Sequence, residues 1–246
     1  MTIKEQLIDY ANKCLNDIKV SEYEDYISCQ KHKWACQRFL DDLKKSDARN
    51  ILKEPFPYVW DEVEAQNIVD WFALLRHSKG TLSGQPIILT VSQKFDLCQL
   101  YGWRHEKTGY KRFKKYFKEV ARKNAKSQEE AGIALYEIST QSVKNNEVYE
   151  YYTAGTKSQQ SRIVFNECKL MLRKSPLRMK FKLTNDLIEY KPTGSFIRPL
   201  NKDDVDSGDG SNPAGLILDE YHQHKTTGFY DLGLGSNTKE PLPAKI

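Results

Sequence analysis

The most constraining feature of the sequence is a short apolar run near its C-terminal end, Gly215-Leu-Ile-Leu218, which Asp219 and Glu220 follow directly. A run that is apolar at every position suits a strand buried on both faces, as parallel strands of α/β proteins are. Upstream, the hydrophobic pattern predicts alternating elements, in the order 128–137 (helix), 148–153 (strand), 158–172 (helix), 187–190 (strand) and 195–197 (strand). This alternation predicts an α/β sandwich around a mostly parallel central sheet.

Length and composition place the chain among folded proteins and outside the membrane class. Its 246 residues suffice for one large domain, and 14 Tyr, 10 Phe and 4 Trp supply core material. The sequence lacks a run of about 18 apolar residues, and its first residues lack the apolar segment of a secretory signal. We therefore expect no membrane partner. The net charge of +5 permits contact with a polyanion without requiring it.

The cysteines show no paired spacing. They are odd in number and scattered, and none belongs to a C-x-x-C pair: Cys14, Cys29, Cys36, Cys98 and Cys168. The sequence therefore predicts neither a disulfide framework nor a thiolate zinc site, and a reducing cytoplasm suits the chain best.

A change of pattern near residue 80 divides the chain. Residues 1–80 show helical spacing, with a break at Pro55 and Pro57, where a helix interior is excluded. A helix predicted over 61–75 carries an apolar face formed by Val63, Ile68, Trp71, Phe72 and Leu75. The segment Ser83-Gly-Gln-Pro86 then predicts a turn or loop. We predict a helical N-terminal portion over 1–80 and an α/β core over 81–246.

The segment Ala121-Arg-Lys-Asn-Ala-Lys-Ser127 is a candidate phosphate-binding loop. A strand, predicted from the extended run over 112–121, precedes it and a helix follows it, so backbone N–H groups at the helix start would face an anion. Lys126 would reach the terminal phosphates and Ser127 would hold Mg²⁺. The G-x-x-x-x-G-K-[ST] pattern fails at both glycines, the second being Ala125, and a left-handed alanine costs about 1–2 kcal/mol. Taken alone, a basic helix start with solvated lysines explains the segment equally well.

The two acids after the apolar run form the second candidate. Parallel strands end at the sheet edge where open α/β sheets bind ligands, so Asp219 would lie near Mg²⁺ and Glu220 would polarise an attacking water. Acids that merely end a strand are a common alternative. A Lys-Ser loop comes first and a strand with two acids later, with the clearest intervening strand at 148–153. This order favours a nucleotide hydrolase with an added central strand.

Several segments match those of a known protein family in the same order. They are Gly84–Phe95 with Gly102-Trp103, Ala121–Ser127 (ARKNAKS), Tyr152–Gly155, Gln159–Phe165 and Leu216–His222 (LILDEYH). Together they resemble the N-terminal packaging ATPase domain of the large terminase subunit of tailed bacteriophages, whose loop usually reads R-K-x-G-K-S. The similarity extends from about Trp60 to the end of the chain.

The resemblance implies an ASCE-type P-loop NTPase, a three-layer sandwich that uses ATP and Mg²⁺, with 81–246 as its ATPase core. The residues it places at the nucleotide are Gln93, at the adenine, and Arg122, Lys123, Asn124, Ala125, Lys126 and Ser127, in the loop. It places Ser127 and Asp219 at the metal. Glu220 would be the general base, and Arg122 and Lys126 would stabilise the γ-phosphate.

The implied function is a viral motor that hydrolyses ATP to drive double-stranded DNA into procapsids in the host cytoplasm. The implied partners are double-stranded DNA, the terminase small subunit, the portal protein and further copies of the chain in a ring, with a monomer in isolation as the alternative. The chain ends about where the family continues into a nuclease domain, so we expect no nuclease activity from it. Two other functions stay open, a helicase-like nucleic-acid translocase and a non-catalytic DNA or packaging-complex interaction module with a degenerate loop.

Overall fold

The structure, a computed structural model, describes residues 1–18, 28–48, 56–121, 124–155, 158–200 and 213–221. The chain separates into two compact units, one comprising residues 1–70 and 88–116 and the other residues 71–87 and 117–246. None of the helices in the described ranges combines the length and the apolar character needed to cross a membrane.

Helices dominate the first unit. Its elements are α1 (Ile3–Leu15), α2 (Gln30–Asp47), β1 (Tyr58–Trp60), most of α3 (Glu62–Leu74), α4 (Val91–Gly102) and β2 (Trp103–His105). α1 begins at a capping box, in which Thr2 and Glu5 satisfy each other's backbone N–H groups. β1 and β2 pair antiparallel. The core is aromatic: the Phe39 ring centroid lies 5.4 Å from that of Trp60 and 6.4 Å from that of Trp103.

The apolar face predicted for residues 61–75 is only partly correct. Ile68, Trp71, Phe72 and Leu75 are buried, whereas Val63 is 67% exposed. Val63 lies in the first turn of α3, and its neighbour Glu64 is buried instead, because it forms an ion pair with the buried Arg104 at 2.6 Å. Hydrophobicity alone does not predict such an exchange.

The second unit contains the central sheet and the helices around it. Its elements are α5 (Lys126–Tyr136), a π-helical turn (Glu137–Gln141), α6 (Ser142–Asn145), β3 (Glu150–Ala154), α7 (Ser158–Leu172), a 3₁₀ turn (Arg178–Lys180), β4 (Phe181–Leu183), β5 (Ile188–Tyr190), β6 (Ser195–Leu200) and β7 (Pro213–Leu218). Within the described part of the chain, five strands form this sheet in the order β4-β5-β6-β3-β7. α7 packs on β3 and β6 and against α5.

The sheet confirms the predicted mixed α/β fold with a mostly parallel sheet. β3 pairs in parallel with both β6 and β7, and β5 is antiparallel to both of its neighbours. Four of the five described strands therefore run in the same direction. β7 lies close to β3 because Gly215 has no side chain: a Cβ atom there would lie 2.1 Å from the Tyr151 ring.

The extended run predicted before the loop is not a strand of this sheet. Residues 113–121 have neither helix nor strand, and the nearest pairing is an isolated bridge between Lys111 and Arg104. The physical reason is that the run lacks a buried face: Tyr116, Phe117 and Val120 are all exposed, Phe117 by 76%. Aromatic and β-branched residues favour strands only where one face is covered.

A close contact fixes the position of α5. A Cβ atom at Gly132 would lie 2.3 Å from the Phe72 ring, so only glycine allows this approach. The Trp71 Nε1–H donates a hydrogen bond to the Gly132 carbonyl oxygen at 3.2 Å. These contacts hold the middle of α5 in place, and because the helix is rigid they also fix the position of its first turn, which starts at Lys126.

Candidate active site

A lysine and two acids meet where α5 begins and β7 ends. Lys126 is the first residue of α5, and Asp219 and Glu220 follow β7. The Lys126 Nζ lies 2.6 Å from Asp219 Oδ1 and 3.3 Å from Glu220 Oε1. The structure thus brings together three of the predicted site residues across 94 positions of sequence.

The backbone at both sides of this cluster is strained. Ala125, the N-cap of α5, has φ 55° and ψ 23°, and Glu220 has φ 53°. Both are left-handed conformations that cost a residue with a side chain about 1–2 kcal/mol. Strain of this kind concentrates at functional sites, where the surroundings hold it in place. The left-handed Ala125 lets the chain turn sharply into α5, as the family's usual glycine would.

We expect Ala125→Gly to raise the unfolding free energy by about 1 kcal/mol, because glycine adopts this conformation without a steric cost. Ala134→Gly, inside the same helix, should instead lower it by about 1 kcal/mol or more. Urea unfolding of both variants tests the prediction. A loss of stability in Ala125→Gly would show that the left-handed conformation carries no strain.

A buried ion pair braces the start of α5. The Lys118 Nζ donates to both carboxylate oxygens of Glu129, at 2.9 and 2.7 Å, and Glu129 is only 2% exposed. The pair ties the segment before the loop to the first turn of α5. Sequence reasoning missed it, because Lys118 lies outside any helix or strand and Glu129 lies in α5, so no periodic pattern relates the two residues.

Lys118→Met should lower the unfolding free energy by roughly 3 kcal/mol, because it leaves the Glu129 charge buried without its lysine. The exposed Lys114→Met should change it by no more than about 0.5 kcal/mol. Adding Glu129→Leu to Lys118→Met should recover part of the loss. Urea unfolding measures all three, and equal losses for the two lysine variants would contradict this role of the pair.

The charges of the cluster shift one another's protonation. Burial disfavours the Lys126 charge, but the Asp219 hydrogen bond and charge, with Glu130 and Glu220, outweigh it and raise the Lys126 pKa. Burial, and then the charge of Asp219, raises the pKa of Glu130 to about 8. Glu130 Oε2 is buried without a hydrogen-bond partner among the described residues.

Glu130 is a site residue that the sequence analysis missed. It lies one helical turn after Lys126 on α5, at the i+4 position that places both side chains on one face. This spacing is the signal that could have identified it. A protonated Glu130 can donate a hydrogen bond to an oxygen in the site, whereas an ionised one repels the two acids.

Glu130 also makes stability depend on pH. Its pKa rises from 4.5 to about 8 on folding, so the folded protein holds a proton that the unfolded chain releases. Stability should therefore fall as pH rises from about 4.5 to 8, and the loss is complete above pH 8. Glu130→Gln should remove this pH dependence, so its stability relative to the wild type should increase as pH rises from about 4.5 to 8. Thermal unfolding over a pH series tests it with the exposed Glu119→Gln as control; parallel profiles of wild type and Glu130→Gln would contradict it.

The other predicted site residues lie in different places. Asn124 Nδ2 donates to the Ala121 carbonyl oxygen at 2.9 Å, which shapes the loop, and Ser127 is the second residue of α5. Arg122 and Lys123 lie outside the described residues. Gln93 belongs to the first unit, where its side chain accepts a hydrogen bond from the Thr90 N–H in the capping box of α4. Its contact with adenine stays a prediction.

The donor set of the cluster suits Mg²⁺. This cation prefers oxygen ligands from one or two carboxylates together with phosphates and water. Asp219 is 5% exposed and presents its carboxylate beside the first turn of α5, where it lies 2.6 Å from Lys126 Nζ. The Asp219 carboxylate therefore fits the metal, and the predicted contacts of Asp219 and Ser127 with it stay predictions.

Comparisons with known proteins show a similar fold and a matching family. The crystal structure of the HK97 bacteriophage large terminase is similar in fold, with a TM-score of 0.55 and 20% sequence identity, over 73% of this chain and 36% of that chain. The present chain thus spans about a third of the length of that protein. No curated protein matches the sequence. The family model "Terminase large subunit, ATPase domain" matches residues 92–232, more than half of the chain, and the protein therefore belongs to the terminase large subunit ATPase domain family.

Proposed function

We propose that the protein is an ATP-hydrolysing motor domain that drives double-stranded DNA into viral procapsids. One observation carries the proposal: Lys126 at a helix start lies within 3.3 Å of two acids at the end of a parallel strand. Helix starts bind phosphates, and strand ends of α/β sheets carry the groups that act on them. Family membership supplies the reaction class.

The proposed fold and domain division follow the family. The sheet of the second unit would be that of an ASCE-type P-loop sandwich. In sequence, a helical portion over 1–80 would precede an ATPase core over 81–246. The loop residues Arg122, Lys123, Asn124, Ala125, Lys126 and Ser127 would surround the triphosphate. Gln93 would contact the adenine.

Binding of ATP would rearrange the charges of the cluster. Lys126 would exchange its two carboxylate partners for β- and γ-phosphate oxygens, and Arg122 would brace the γ-phosphate. Ser127 and Asp219 would hold Mg²⁺, which supplies charge neutralisation at the phosphates when bound. Without ATP, Asp219 and Glu220 keep Lys126 charged and close to the place where the phosphates would lie.

Hydrolysis would then proceed by in-line attack of water. Glu220 would accept the water proton as the oxygen attacks the γ-phosphorus, and the bond to the bridging oxygen would break to release ADP. Lys126 and Arg122 would stabilise the charge that develops on the phosphoryl oxygens. The left-handed backbone at Glu220 would fix the direction of its carboxylate.

The proposed partners and location are those of a packaging motor. They are double-stranded DNA, the terminase small subunit, the portal protein and further copies of the chain in a ring, in the cytoplasm of the host cell. The net charge of +5 is compatible with DNA without being specific for it.

Nucleotide binding provides the first test. ATP with Mg²⁺ at 100 times the dissociation constant should stabilise the fold by about 2.7 kcal/mol, visible as a rise in unfolding temperature. Absence of a shift at millimolar ATP would favour a non-catalytic interaction module. DNA-stimulated ATP hydrolysis with strand separation and without portal dependence would favour a helicase-like translocase.

A further inference from the structure

A second cluster of reactive side chains lies in the first unit, apart from the phosphate chemistry. One ligand atom from each of Cys14, His32 and Cys36 lies within 4.8 Å of the other two. Both thiols are buried, with Cys14 1% exposed and Cys36 fully covered. None of the three takes part in the proposed ATP hydrolysis, and all belong to the unit that lacks Lys126.

Packing of two helices creates the cluster. Cys14 lies in the last turn of α1, which packs against α2. His32 and Cys36 are four residues apart on α2, a spacing that places both side chains on one helix face. Two ligands at i and i+4 on one helix and a third from a facing helix form a converging set.

The spacing suits a tetrahedral metal ion. Zinc binds thiolates at about 2.3 Å and imidazole nitrogen at about 2.0–2.1 Å, which puts neighbouring ligand atoms about 3.5–3.8 Å apart. The three ligand atoms lie within 4.8 Å of one another, so side-chain adjustments alone would bring them to that spacing. Two thiols with an imidazole are a soft donor set, which selects zinc over magnesium or calcium.

We propose that Cys14, His32 and Cys36 bind one Zn²⁺, which cross-links α1 to α2, with water in the fourth position. The proposal is independent of the proposed ATPase function. It assigns to the helical unit a soft-metal site, chemically distinct from the oxygen-ligand magnesium site of the second unit.

The surroundings of the cluster resemble those of ligating residues. The Tyr10 hydroxyl lies 2.9 Å from His32 Nε2, and a partner of this kind orients the ring and leaves Nδ1 for a metal.

Metal content and cobalt substitution test the proposal on the full chain. We expect one equivalent of zinc per purified chain by elemental analysis. The chelator-stripped protein should bind one Co²⁺, with sulfur-to-cobalt charge-transfer absorption and the intense visible bands of a tetrahedral site. Cys14→Ser, Cys36→Ser and His32→Gln should each weaken binding at least about 10–100-fold, the range for loss of an outer-shell partner. Cys29→Ser, at an exposed cysteine next to α2, should bind as the wild type does.

The wild-type readouts decide the outcome even where a cysteine variant fails to fold. Absence of both zinc and the cobalt bands in the folded wild type would overturn the proposal. A Cys14–Cys36 disulfide, found by mass spectrometry after alkylation without reduction, would also overturn it. A wild-type unfolding temperature that falls on chelation and recovers with Zn²⁺ would support it, whereas unchanged affinity in folded His32→Gln would contradict the assigned ligand set.

Discussion

Glu220→Gln is expected to lower the rate of ATP turnover by about 10²–10⁴-fold while leaving ATP affinity close to that of the wild type. The amide has the shape of the carboxylate and the same backbone preference, so the left-handed conformation at this position costs no more than before. What the variant loses is the group that accepts the proton of the attacking water. Lys126 keeps its shorter contact, 2.6 Å to Asp219, so the cluster retains an ion pair.

Two measurements separate chemistry from binding in this variant. Steady-state hydrolysis gives the turnover number, and fluorescent ATP-analogue titration gives the dissociation constant. The exposed Glu119→Gln in the same unit should leave both unchanged. Turnover retained in Glu220→Gln would remove Glu220 from the mechanism, and a joint loss of binding and turnover would indicate structural damage instead.

Lys126→Ala is expected to weaken ATP binding itself by roughly 10–100-fold. A hydrogen bond to a charged group contributes about 1.5–3 kcal/mol, and Lys126 would make such bonds to the phosphates. The variant also leaves the buried Asp219 carboxylate without its nearest cation, which adds repulsion between the acids and the incoming phosphates. Both effects act on the bound ground state, so affinity should fall along with turnover.

The same titration with Lys180→Ala provides the control, because Lys180 is exposed and distant in sequence from the loop. Lys126→Met should behave as Lys126→Ala does, which separates loss of charge from loss of side-chain volume. An unchanged dissociation constant in both Lys126 variants would contradict the placement of the triphosphate at α5.

The sequence predicted the part of the fold that rests on local patterns. Helix α7 has the predicted bounds, and the apolar run before Asp219 is a parallel strand beside β3. The proximity of Lys126 to the two acids was predictable because chain order and a parallel sheet together constrain which ends meet. The conformation of Ala125 follows from the same turn into α5.

The sequence could not predict features that depend on burial and long-range packing. The run before the loop has strand-forming residues but no covered face, so its prediction as a strand was wrong. Burial sets the pKa of Glu130 and the strength of the Lys118–Glu129 ion pair, and no local sequence pattern encodes burial of this kind. The cluster of Cys14, His32 and Cys36 has no C-x-x-C spacing, because its ligands come from two packed helices.

Because Gly132 is in close contact with the Phe72 ring, we expect substitutions at this glycine to affect the proposed nucleotide site. Gly132 lies six positions after Lys126 on α5, a rise of about 9 Å, and a helix transmits displacement as a stiff rod over that distance. Any larger side chain at position 132 must move either the ring or the helix. Where the helix moves, an added methyl group shifts Lys126 relative to both acids, so a position remote from the phosphates would influence catalytic alignment.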